Sequence, residues 1–136
     1  MDEVIINKTA VIEKCLERIR EMYIGYEKEF DIDFMRQDAI ILNLQRACEA
    51  AIDLGMFIVK IKKLGIPQST RDVFEFLMEK KILPIELCQS LQAMVGFRNI
   101  AVHDYQKINL AIIHSILENR LIDFEQLVKT ARNLND

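Results

Sequence analysis

The 136-residue chain has no tryptophan, only four glycines and two prolines, three cysteines, and no excess of basic residues. Each scarcity excludes something. Lysine plus arginine (18) against aspartate plus glutamate (21) gives 18 − 21 = −3, so a basic coat that binds nucleic acid indiscriminately is ruled out and any such site must be local. Cys15, Cys48 and Cys88 are odd in number, far apart and form no CxxC pair. They read as buried thiols in a reducing compartment, not as a disulfide framework or a zinc knuckle. The apolar runs stop well short of the ~18 residues that span a bilayer, and Met1-Asp2-Glu3 puts no basic stretch ahead of an apolar one. A soluble, cytoplasmic protein with no membrane association is expected. The sequence holds no Walker loop, HExxH or paired CxxC, and neither a cofactor nor a metal is expected.

Apolar residues are what the chain has in surplus. Their share, 51%, exceeds the roughly 45 to 50% of an average domain even though that average counts glycine, which suggests surface reserved for an oligomer. The length suits one domain, residues 1–136, by the usual ~100 to 200 residues per domain.

With so little glycine and proline, the apolar residues recur at three and four positions rather than two, an all-α pattern. Asp2 is a candidate N-cap for a first amphipathic helix through Ile12, Cys15, Leu16 and Ile19 that stops near Gly25. Asp33 starts a long second helix running to about Lys63, with Gly65 and Pro67 as the stop. Its apolar face is roughly 160° wide, so neighbours on two sides are expected. Ser69-Thr70-Arg71-Asp72 reads as a capping-box variant opening a short third helix. Pro84 opens a fourth that ends between Arg98 and His103. After an irregular segment, one stripe from Leu110 through Val128 predicts a fifth helix to about Asn133. His114, on its apolar edge, reads as a core or interface histidine.

The chemically capable side chains gather at the end of the fourth helix, in Arg98-Asn99-Ile100-Ala101-Val102-His103-Asp104-Tyr105. Arginine supplies a permanent planar cation for a phosphate, histidine moves protons near neutral pH, and Asn99 and Tyr105 add hydrogen-bonding groups. Five positions on an unbroken helix leave Arg98 and His103 roughly 140° apart. They meet at one phosphate only if the helix breaks or a second chain brings its own copy. His103 and Tyr105 share a direction if the segment is extended. On the second helix Asp38, Gln45, Arg46, Glu49 and Asp53 form a polar stripe. It reads first as a solvated face and second as a rim of the cleft, its carboxylates serving Arg98 or His103. Lys60, Lys62, Lys63, Arg71, Lys80 and Lys81 form a basic patch without interleaved aromatics.

The motif Arg98…His103, with four residues between, resembles the ribonuclease signature of the HEPN superfamily. The longer Arg98…His103-x-Tyr105 form is similar to that of HepT-type toxins from HepT and MntA toxin-antitoxin pairs. Leu42-Asn43-Leu44-Gln45-Arg46 and Gly65-Ile66-Pro67-Gln68-Ser69 look HepT-like too. The resemblance implies a bundle of about five helices that dimerises around a composite cleft and acts as a metal-independent endoribonuclease on transfer or messenger RNA. Its catalytic residues would be Arg98, Asn99 and His103, with Asp38, Glu49 and Asp53 at the cleft rim. It also implies a partner, a minimal nucleotidyltransferase antitoxin that silences the toxin by attaching AMP to Tyr105. Two alternatives stand beside it: a non-catalytic HEPN module that assists a nucleotidyltransferase, and a plain dimeric bundle.

Overall fold

The computed structural model describes residues 2–134 and is all-helical over them. Six helices follow in order: α1 (Glu3–Tyr23), α2 (Phe34–Ile61), α3 (Thr70–Glu79), α4 (Ile85–His103), α5 (Leu110–Asn119) and α6 (Leu121–Leu134). Single 3₁₀ turns stand at Glu29–Asp31 and Tyr105–Lys107. The expected caps form. Asp2 accepts from the Val4 amide at 2.8 Å, Asp33 from Arg36 at 3.1 Å and Ser69 from Asp72 at 3.3 Å, each satisfying a donor that the first turn leaves open. Asn109 caps α5 in the same way, accepting from Ala111 at 2.9 Å.

Two helix ends are built differently from the sequence expectation. α2 stops at Ile61, and the reversal is made by Lys63 in the left-handed region (φ 53), before Gly65 is reached. The Leu64 amide reaches back to the Val59 carbonyl at 3.0 Å and that of Lys63 to Lys60 at 3.2 Å. This six-to-one, five-to-two pair is a Schellman closure. Lys81 (φ 58) ends α3 with the same pair of bonds, Ile82 to Leu77 and Lys81 to Met78. The expected fifth helix is two, because the chain turns at Arg120. The Arg120 amide still bonds the Ile116 carbonyl at 2.8 Å, while its own carbonyl accepts from Asp123 at 3.0 Å and starts α6.

α2 is the central element, in contact with α1, α3, α4 and α6, as its wide apolar face requires. Ile40, Leu44, Leu54 and Ile58 from α2 meet Ile12 and Ile19 from α1, all at 0% exposure. α3 comes closest at Gly55, where an added Cβ would lie 2.9 Å from Val73 Cγ1. Across the top of this core the 3₁₀ turn at Glu29–Asp31 inserts Phe30, also fully buried. His114 of α5 stands against it, ring centroids 5.0 Å apart. Its Nδ1 lies 2.8 Å from the Tyr23 hydroxyl and its Nε2 2.8 Å from Asp31, and Tyr23 also donates to Glu118 at 2.5 Å. His114 therefore ties α5 to the connection between α1 and α2.

Candidate functional site

α4 runs unbroken through the whole motif. Asp104 ends it (φ −154, ψ 56), sending its amide to the Ile100 carbonyl at 2.8 Å, so His103 is the last helical residue. Arg98 and His103 stay roughly 140° apart on one helix, and Asn99, four positions before His103, lies within roughly 40° of it. Within one chain the helix therefore carries Arg98 and His103 to different sides.

Arg98 lies half-buried over α2, close enough that its charge acts on the Cys48 thiol. Burial pushes that thiol up to about 12, the Arg98 cation partly opposing it. The Arg98 Nε is buried without a hydrogen-bond partner, and no carboxylate among the described residues pairs with the guanidinium. A half-buried cation with no counter-charge is poorly solvated, and an arriving phosphate relieves that deficit. Asn99 and His103 are exposed, and among the described residues neither side chain has a hydrogen-bonding partner.

Beyond α4 the segment is not extended. Asp104 accepts from Gln106 and pairs with Lys107 at 3.1 Å, closing the 3₁₀ turn, and Tyr105 opens that turn. The condition under which Tyr105 and His103 would face the same way is therefore not met. Instead the Tyr105 hydroxyl donates to Asp38 Oδ1 in the second turn of α2. Burial first, then the Asp38 carboxylate, hold the Tyr105 phenol well above its ordinary range. The other rim candidates are engaged elsewhere: Glu49 accepts from Gln45 at 2.9 Å and Asp53 pairs with Lys8 of α1 at 2.9 Å. Among the described residues, no three of His, Cys, Asp or Glu gather as they would around a metal ion. No described helix is long and apolar enough to cross a membrane.

A groove of about 890 Å³ runs between α4 and α5, lined by Ala93, Met94, Phe97, Ile100, Ile112 and Ile116 among others. Ile100 and Ile112 leave 43% and 55% of their surface exposed there, forming an apolar strip along the groove. Its edge is open at Gly96, where an added Cβ would meet nothing within 4 Å. His103, seven positions on, stands within roughly 20° of Gly96 around the helix, so this edge leads to the motif.

The family model described as "Ribonuclease HepT-like" matches residues 12–131. The chain belongs to the HepT-like ribonuclease family. The mRNA nuclease HepT of Shewanella oneidensis is 48% identical over 128 residues, covering 94% of this chain and 96% of that protein. A solved structure of a tri-AMPylated Shewanella oneidensis HEPN toxin in complex with an MNT antitoxin superposes with a TM-score of 0.92 at 46% identity, covering 98% of this chain and 99% of the other. A second, of a toxin-antitoxin with AMP-PNP, gives 0.90 at 46% identity over 96% and 99%. The HepT-like match takes in Asp38, Glu49, Asp53, Arg98, Asn99, His103 and Tyr105. The sequence expectation missed the Tyr105–Asp38 bond and the α4–α5 groove in this HepT-like fold. The first joins residues 67 apart and has no local signature, whereas exposed isoleucines on α4 and α5 look like any core position until the packing is known.

Proposed function

We propose that this chain is the toxin of a toxin-antitoxin pair, a cytoplasmic, metal-independent endoribonuclease working as a homodimer. The unpaired, half-buried Arg98 guanidinium, on the same helix end as His103 in a HepT-like chain, carries the proposal. In the dimer a second copy occupies the α4–α5 groove, and the two helix ends approach across it. The domain, 1–136, then forms half of one composite cleft. RNA enters with its 2′-hydroxyl near the adjacent phosphorus, His103 transfers the proton, and Arg98 steadies the charge gathering on the non-bridging oxygens. The products are a 2′,3′-cyclic phosphate and a 5′-hydroxyl. Asn99, beside His103, orients the phosphate. The name of the Shewanella relative favours messenger RNA over transfer RNA as substrate.

Silencing follows from the same segment. A partner nucleotidyltransferase of the MNT kind transfers AMP to Tyr105, as the tri-AMPylated state of the related toxin supports. The added phosphate lies within the motif and competes for the cation that RNA needs. Asp38, Glu49 and Asp53 sit along the flank of α2 as the rim of the cleft.

The deciding experiment incubates cell-free-synthesised protein, never exposed to a nucleotidyltransferase, with a mixed RNA pool in EDTA. Wild type is expected to give discrete products, and His103→Ala to lose about 10²- to 10⁴-fold of the rate. Arg98→Ala is expected to lose about 10²- to 10³-fold. Intact RNA after treatment with a folded wild-type dimer would defeat the nuclease proposal and leave the binding-module alternative.

A further inference from the structure

We infer that Asp38 is the base that receives the proton of Tyr105 when AMP is transferred to that residue, so that the toxin supplies part of the machinery for its own modification. The inference rests on Tyr105 being the AMP acceptor. It is carried by the bond from the Tyr105 hydroxyl to Asp38 Oδ1, which reaches from the turn after α4 to the second turn of α2. Of the three carboxylates on that flank of α2, Asp38 is the one whose only side-chain bond is to Tyr105, Glu49 being held by Gln45 and Asp53 by Lys8. Both Asp38 and Tyr105 are exposed, so an incoming nucleoside triphosphate can reach the oxygen without the bond being broken first.

The chemistry calls for such a group. A phenol held above its ordinary range by burial and by a neighbouring carboxylate has almost no phenolate at neutral pH, so its proton must leave as the new bond forms. The phenolic oxygen attacks the α-phosphorus of ATP bound to the partner enzyme. The O–H bond breaks and its proton passes to Asp38 Oδ1. The Tyr105 oxygen to phosphorus bond forms, and the bond from phosphorus to the β-phosphate bridge breaks, pyrophosphate leaving with the electron pair. The same carboxylate fixes the direction of the phenolic oxygen beforehand, which removes part of the orientation cost of the encounter.

The test measures AMP transfer from labelled ATP by the cognate nucleotidyltransferase to full-length wild type, Asp38→Asn, Asp38→Glu and Tyr105→Phe, from neutral to alkaline pH. Asp38→Asn keeps an oxygen that can accept the bond but removes the base. It is expected to lower the maximal rate about 10²- to 10⁴-fold with little change in KM for the toxin. The residual rate should climb with pH as the phenol ionises unaided, and Asp38→Glu should recover part of the loss. Transfer to Tyr105 of Asp38→Asn at the wild-type rate would overturn the inference. So would a defect confined to KM, or one that is the same at every pH, either of which would make Asp38 a docking or structural residue. Tyr105→Phe tests the underlying assignment separately: undiminished labelling of that variant would move the acceptor elsewhere and remove the basis for a base at Asp38.

Discussion

Arg98 and Cys48 show how burial sets the reactivity of neighbouring side chains in opposite directions. The Arg98 stem lies on α2, and its charge is left without a carboxylate, open to an anion. Beneath it the Cys48 thiol is pushed up to about 12 by burial, and burial pushes Cys88 up to about 11 and raises Cys15 as well. Thiolate is the reactive form, so all three cysteines should resist iodoacetamide in the folded protein and react once it is unfolded. Mass spectrometry of alkylated peptides reads this directly, and rapid native labelling of Cys48 would show that the layer under Arg98 is open. The cysteines were legible in the sequence as buried thiols because each falls on an apolar helical stripe. Arg98, His103 and Tyr105 stand out in the sequence as a candidate site because they are neighbours in the chain. The partner of Tyr105 was not, because Asp38 comes within reach only through the way α2 and α4 pack. From spacing alone, Asp38 was placed with Arg98 or His103.

At the scale of elements, α2 and α3 are held by an approach that only a hydrogen side chain permits. A Cβ at Gly55 falls 2.9 Å from Val73 and 3.4 Å from Phe74, both buried. Gly55→Leu should therefore destabilise the fold by about 1 to 3 kcal/mol, the usual range for overpacking, visible as a lowered denaturation midpoint at unchanged slope. A stability equal to wild type would mean that α3 can move away freely. Helix existence and type followed from periodicity, and the capping residues Asp2, Asp33 and Ser69 located three starts. What periodicity could not supply was the break at Arg120. The apolar spacing continues from Leu117 to Leu121 and Phe124, and no glycine or proline interrupts it. The left-handed lysines at positions 63 and 81 were hidden for a similar reason, since glycine is the residue usually sought at such ends.

Taken whole, the molecule separates a fastened side from an open one. α6 is clipped to α1 by Arg132, which grips Glu13 with contacts of 2.9 and 2.5 Å, and by Glu125 with Arg20 at 2.6 Å. The α4–α5 groove has no such cover. If the proposed dimer forms through this groove, Ile112→Asp, which puts a charge into it, should give a monomer in sedimentation where wild type gives a dimer, and should abolish RNA cleavage while leaving the helix content intact. Cleavage by a monomeric variant would disprove the composite cleft. The fastened side has a pH signature of its own. The hydrogen bond from Arg132 holds the Glu13 carboxyl below its ordinary value of about 4.5, so its contribution is present above that value and is lost as pH falls through the lower, folded one. The stability gap between wild type and Glu13→Gln should be small, as for other exposed pairs, and should close on acidification; a gap that widens in acid would assign the wrong sign.

The bond between Tyr105 and Asp38 is made with the one proton that an ester of Tyr105 no longer has. If AMP occupied that oxygen, the turn after α4 would lose its side-chain tie to α2, keeping its backbone bonds and those that the Asp104 carboxylate accepts from Gln106 and Lys107. Silencing at Tyr105, as proposed, would then leave a mechanical trace beside the chemical one: the modified toxin would differ from the active toxin in how firmly its motif is anchored, so an enzyme that removed AMP would have to restore an anchorage as well as a hydroxyl.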